Sequence, residues 1–198
     1  MAGSLRAMET IDPRPRYRDV LVWVRALAAA VPADRLIDPT PCQEWDVRGM
    51  LGHLVATVDR ARVIGEGGDP QQEPRVVTGV PDGGWADALG AAEDKMAAIW
   101  ADDSQLDAAV TVPWGQVPGR AAVWGYLREA LVHGWDLAVA TGQDPEADPA
   151  TAEAVLAVTQ RVMPAEPRGG PIPFAAPVDP RPGAGPTERL ANWCGHTR

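Results

Sequence analysis

The chain has 198 residues, 45% of them apolar, and 18 Lys and Arg against 27 Asp and Glu give a net charge of −9. That length supports one well-buried domain, and an acidic balance without a Lys/Arg stripe argues against nucleic acid, whose phosphates would be repelled. No run approaches the roughly 20 apolar residues of a membrane span, and the N-terminus, with Asp12, Pro13 and Pro15, lacks the apolar core of a secretory signal. The expectation is therefore a cytoplasmic protein that works on a small molecule, away from nucleic acid and membrane. Cys42 and Cys194 lie far apart and outside any CxxC spacing, which reads as two reduced thiols.

Residues 1–14 show no periodicity and are expected to be a disordered N-terminal segment, leaving 15–198 as a single domain. Val20, Val24, Leu27 and Val31 recur at helical spacing and predict a first helix from Tyr17 to Val31. Asp38-Pro39-Thr40-Pro41-Cys42 breaks the chain, and Asp46 is placed to N-cap a second helix from Val47 to about Ile64. The apolar stripe of this helix is Val47, Met50, Leu51, Leu54 and Val58. His53 lies off its centre, beside Met50 and Thr57, where it can reach a cleft between packed helices. Residues 65–84, rich in Gly, Pro and charge, read either as a loop bordering a site or as a tolerated excursion.

A third helix is predicted from Trp85 to Trp100, followed over residues 109–119 by a short extended or hairpin-like excursion whose Pro and Gly forbid a helix. The fourth helix, from about Ala121 to Ala140, carries Ala122, Tyr126, Glu129, His133, Leu137 and Ala140 on one inward stripe. A last helix is expected from about Thr151 to Met163, with Asp148 as N-cap and Pro149 in the first turn. The Pro-rich tail after it is expected to wrap the domain. These elements describe an all-α fold.

Glu129 and His133 stand four residues apart, so their side chains point the same way and can grip one ion, with His53 supplied by another helix. Two histidines and a carboxylate leave open positions on a divalent metal for water or substrate. Burying an imidazole and a carboxylate in an apolar seam is costly without compensation, and a cation would compensate both. The plainer alternative is an i,i+4 ion pair between Glu129 and His133, with His53 an unrelated core histidine.

Thr40-Pro41-Cys42-Gln43-Glu44-Trp45-Asp46-Val47-Arg48, followed by Leu51-Gly52-His53-Leu54, resembles the opening of the mycothiol-dependent maleylpyruvate isomerase family of the DinB-like superfamily. Val132-His133-Gly134-Trp135-Asp136-Leu137-Ala138 and Ala140-Thr141-Gly142-Gln143 are similar to the second signature of that family, with Glu129 at the acidic ligand position. Residues 111–119 and Glu188-Arg189-Leu190-Ala191 also resemble segments of its members. The resemblance implies a four-helix bundle of DinB-like type that binds a divalent metal, commonly zinc, through His53, Glu129 and His133. It further implies mycothiol or another small thiol as co-substrate, activated for transfer to, or isomerisation of, an electrophile. The isomerase that names the family carries a further C-terminal domain. The fifty or so residues after Gly142 are rich in Pro, Gly and Ala, so no full second domain is expected here and maleylpyruvate is a doubtful substrate.

Two other functions remain open on the sequence: a hydrolase using metal-bound water, and a non-catalytic metal- or ligand-binding bundle. Trp45, Tyr126, Trp135 and Asp136 are placed around the site. Trp45 and Trp135 are read chiefly as packing residues of the two signatures, and Asp136 either as an acceptor that orients a ligand histidine or as an ordinary polar contact. Cys42 reads as a small apolar packing residue, His196 as solvated near the chain end, and Arg60 and Arg62 as unassigned. Eight Trp against a single Phe, Phe174, favour core and interface anchors, which leaves a homodimer open as one arrangement.

Overall fold

A computed structural model describes residues 11–113, 115–169 and 174–198. Six α-helices lie among them: α1 (Arg14–Ala29), α2 (Val47–Gly65), α3 (Trp85–Ile99), α4 (Gly119–Thr141), α5 (Pro149–Val162) and α6 (Pro186–Trp193). One antiparallel hairpin, β1 (Ala109–Val112) and β2 (Gly115–Pro118), pairs Ala109 with Pro118 and Val112 with Gly115. The fold is thus mostly helical with a small two-stranded sheet, and the excursion expected over 109–119 is this hairpin.

The helix limits follow local chemistry. Asp46 accepts from the Gly49 N–H at 2.7 Å and starts α2. Asp148 accepts from the Thr151 N–H, with Pro149 in the first turn of α5. Of the N-terminal segment 1–14, residues 1–10 lie outside those described. The remainder is tied to the domain: Asp12 pairs with Arg14 at 2.7 Å, and the Ile11 carbonyl accepts from Arg120.

Most of the core is contributed by α1 through α4, with Val110 and Val112 of the hairpin, Val155 of α5 and Leu190 of α6 added to it. α2 packs on α3 and α4, while α1 packs on α4 and α3. Val24, Met50, Leu51, Leu127, Leu131 and Leu137 are fully buried between them. α4 is enclosed on nearly every side, not along one stripe, because α5 and α6 also pack on it. Trp85, Trp100, Trp124 and Trp135 are buried, and the Trp100 indole N–H donates to the Ala61 carbonyl at 2.8 Å. Trp114 lies outside the described residues.

The tail is more ordered than a wrapping coil, for it contains α6, packed on α5 and α4. Pro186 in its first turn and Gly195 just past its end are the ordinary start and stop signals of a helix. The eight residues between them are too few to show periodicity.

Candidate metal centre

His53 on α2 and Glu129 and His133 on α4 converge, with one candidate ligand atom from each lying within 4.8 Å of the others. The two imidazole rings are 4.8 Å apart and nearly perpendicular. His53 donates from Nδ1 to the Arg75 carbonyl at 3.0 Å, and His133 from Nδ1 to Asp136 Oδ2 at 2.9 Å. A carbonyl and a carboxylate can only accept, so each Nδ1 carries a hydrogen and Nε2 is the nitrogen each ring turns toward the cluster. His133 Nε2 stands 3.4 Å from Glu129 Oε2. That spacing matches the edge of a tetrahedral site, about 3.3 Å for bonds of about 2.0–2.1 Å.

Each ligand candidate is held from behind. The 65–84 segment lies across α2, where the Val77 N–H donates to the Gly52 carbonyl at 3.0 Å, and so delivers the Arg75 carbonyl to His53. The segment therefore borders the site, which settles the choice its composition left open. A Cβ on Gly52 would lie 2.3 Å from the Val77 carbonyl oxygen, so this approach requires glycine. Trp45 stacks on the His53 ring at 3.9 Å, and the Arg75 guanidinium lies 5.5 Å from the Trp45 ring. Arg128 pairs with Glu129 Oε1 at 2.7 Å, which leaves Oε2 for His133 and a cation.

Electrostatics separates the two histidines. Burial, reinforced by the neighbouring His133, pushes His53 down to about 4, so the ring is neutral at neutral pH and its Nε2 lone pair faces the Thr57 hydroxyl. Burial also opposes charge on His133, but Asp136 and Glu129 outweigh it and hold the imidazole up at about 9. Burial works against the Glu129 carboxylate as well, yet Arg128 and His133 keep it well below the usual carboxylate range. A proton and a divalent cation thus compete for His133 Nε2, beside a carboxylate that is ionised in either case.

Asp136 is fully buried and orients His133, the first of the two roles its sequence position allowed. Tyr126 is buried one turn before Glu129. Trp135, two residues beyond His133, points to the opposite side of α4 and is a core residue with the Arg198 guanidinium 5.8 Å from its ring. Cys42 also lies within ligand distance of His133 and Asp136. Burial pushes its thiol up to about 11, and both Asp136 oxygens already accept imidazole N–H groups. His53, Glu129 and His133 are therefore the better cation set. Arg62 is turned to Asp59 and Glu66, and Arg60 holds the loop through the Glu73 carbonyl.

Three neighbours were given no role at the site by the sequence reading. Arg75 contributes a backbone atom from an irregular loop, which no residue pattern signals. The Thr57 hydroxyl lies 3.3 Å from His53 Nε2, at the i+4 spacing that could have flagged it. His196, expected to be solvated, instead reaches Asp136 Oδ1 at 2.9 Å, with its ring 5.6 Å from that of His133.

Residues 17–138 match the family described as the mycothiol maleylpyruvate isomerase N-terminal domain, a span that holds the whole tripod and Asp136. The chain belongs to that family. Among its relatives is an uncharacterised protein of Mycobacterium tuberculosis, recorded in strains CDC 1551 / Oshkosh and ATCC 25618 / H37Rv. It is 32% identical over 191 residues, which cover 94% of this chain and 99% of the relative. No solved structure matches the chain. The mycothiol maleylpyruvate isomerase match ends inside α4, so His196 lies beyond it while its bonding partner Asp136 lies within.

Proposed function

We propose that this protein is a metal-dependent enzyme that activates a low-molecular-weight thiol, mycothiol or a close equivalent, for transfer to or isomerisation of a small electrophile. The carrying observation is the shared orientation of the tripod: both Nδ1 atoms are committed to acceptors, and His133 Nε2 faces a carboxylate oxygen at 3.4 Å. In this reading α1 to α4 form the four-helix bundle of a DinB-like protein, and zinc is the cation, since two imidazoles and a carboxylate are an ordinary zinc set. A bound divalent cation would lower the pKa of a coordinated thiol so that it attacks as the thiolate.

The protein's own groups prepare that chemistry. The Arg75 carbonyl and Asp136 fix the two imidazole planes, so neither ring must reorganise on binding. Arg128 holds Glu129 ionised and turned, while Trp45 covers one face of His53 against water. The Cys42 thiol, raised by burial, stays protonated and does not compete as a nucleophile.

The test is metal content per chain by mass spectrometry on protein purified without chelators, beside His53→Ala and Glu129→Ala, with circular dichroism on all three. One ion per chain in the wild type, lost in both helical variants, is the expected result. A folded wild type that stays metal-free in zinc-supplemented buffer would refute the metal. Thiol-dependent turnover of electrophiles then tests the reaction, and turnover without thiol would indicate hydrolysis instead.

A further inference from the structure

The C-terminal residues reach the centre through a specific turn. α6 ends at Trp193 with Cys194 as its C-cap, Gly195 takes a left-handed φ of +91°, and two backbone bonds close the end: Gly195 N–H to the Asn192 carbonyl and His196 N–H to the Ala191 carbonyl. These are the paired bonds of a Schellman cap. The Asn192 side-chain amide donates to the His196 carbonyl at 3.0 Å, and Arg198 lies over Trp135 and toward Glu188. The cap thus aims the His196 ring inward, and its side chain is only 17% exposed.

Asp136, with no exposed surface, receives one imidazole N–H on each oxygen: His133 Nδ1 on Oδ2 and His196 Nδ1 on Oδ1, both at 2.9 Å. A carboxylate held by a single donor can turn about its last bond. Held at both oxygens by groups on different elements, its plane is set, and so is the direction of its bond to His133. We propose that His196 is a positioning residue of the metal centre, acting through Asp136 to lock His133 and thereby coupling the C-terminal tail to the tripod. The inference rests on the tripod being a metal site. His196 contributes no atom to the converging ligand set, and its Nδ1 bond ends on Asp136. Removing the polar partners behind metal-ligating histidines commonly weakens metal binding by about 10–100-fold, and a partner one bond further out falls at the low end of that range.

The experiment measures Zn2+ affinity of the full chain by competition with a chromophoric chelator, together with the Co2+ absorption spectrum, for wild type, His196→Leu and His196→Asn. Asn keeps an N–H donor at the position of Nδ1, whereas Leu fills the space without one. The expected result is Zn2+ affinity about tenfold weaker with a shifted Co2+ band for His196→Leu, and His196→Asn within about twofold of wild type. Thermal unfolding of each variant reports separately how far the tail merely stabilises the fold. His196→Leu with wild-type affinity and spectrum, or His196→Asn as weak as His196→Leu, overturns the inference alone. A wild type that binds neither ion overturns the metal reading and this inference with it.

Discussion

Gly52→Ala is the sharpest probe of how the loop supports the centre. Replacing glycine by alanine inside a helix ordinarily stabilises by about 1 kcal/mol. Here the new Cβ would meet the Val77 carbonyl oxygen at 2.3 Å and Val76 Cγ1 at 2.7 Å, and backbone cannot swing aside as a flexible side chain can. Displacing the loop costs roughly 1–3 kcal/mol for overpacking. It also loses the Val77-to-Gly52 bond and the His53-to-Arg75 bond, at about 1 kcal/mol each. The net loss is about 3 kcal/mol, a fall in Tm of roughly 6–12 °C for a chain of this size, and a freed His53 ring should weaken Zn2+ binding by about 10–100-fold. The control is Gly90→Ala, whose Cβ would meet only the end of the Arg25 side chain at 2.9 Å. It should be neutral or slightly stabilising. Calorimetry and chelator competition read both effects, and a Gly52→Ala protein as stable and as avid for metal as Gly90→Ala would refute the reasoning.

The two histidines predict opposite pH responses in metal-free protein. His133, held up at about 9 against its ordinary 6.5, contributes stability that is present below pH 6.5 and lost as pH rises through 9. His53, pushed down to about 4, makes the fold less stable as pH falls from 6.5 toward 4. Because the cation must displace the His133 proton, Zn2+ affinity should rise about tenfold per pH unit from 7 to 9, and a flat profile in chelator competition would contradict this. Leu131, fully buried in the core, should cost about 2–5 kcal/mol in urea unfolding when changed to Ala. That variant should still bind one ion per chain, so loss of the ion with little loss of stability would show that the core and the centre are not separate.

The helices were legible because their signals are local. Asp46, Asp148 and Pro149 mark starts by satisfying or removing N–H groups that a helix leaves free, and apolar spacing marked the long helices to within a few residues. Glu129 and His133 could be paired in advance because an i,i+4 relation is fixed by helix geometry alone. The sequence also specified which imidazoles and which carboxylate the chain offers. α6 was not legible, since eight residues between a proline and a glycine give no period to read.

Other matters depend on residues distant in the chain and were decided only by tertiary structure. That His53 meets the pair follows from α2 packing on α4. That its free nitrogen is Nε2 follows from a loop carbonyl twenty-two residues away, admitted by the missing side chain of Gly52. That His196 belongs beside Asp136 follows from the cap on a short helix sixty residues beyond it in the chain. The sequence determined the chemistry available, because residue type and helical period are local properties. The tertiary structure decided which nitrogen faces which oxygen, because hydrogen-bond partners and burial arise only when separate segments pack together.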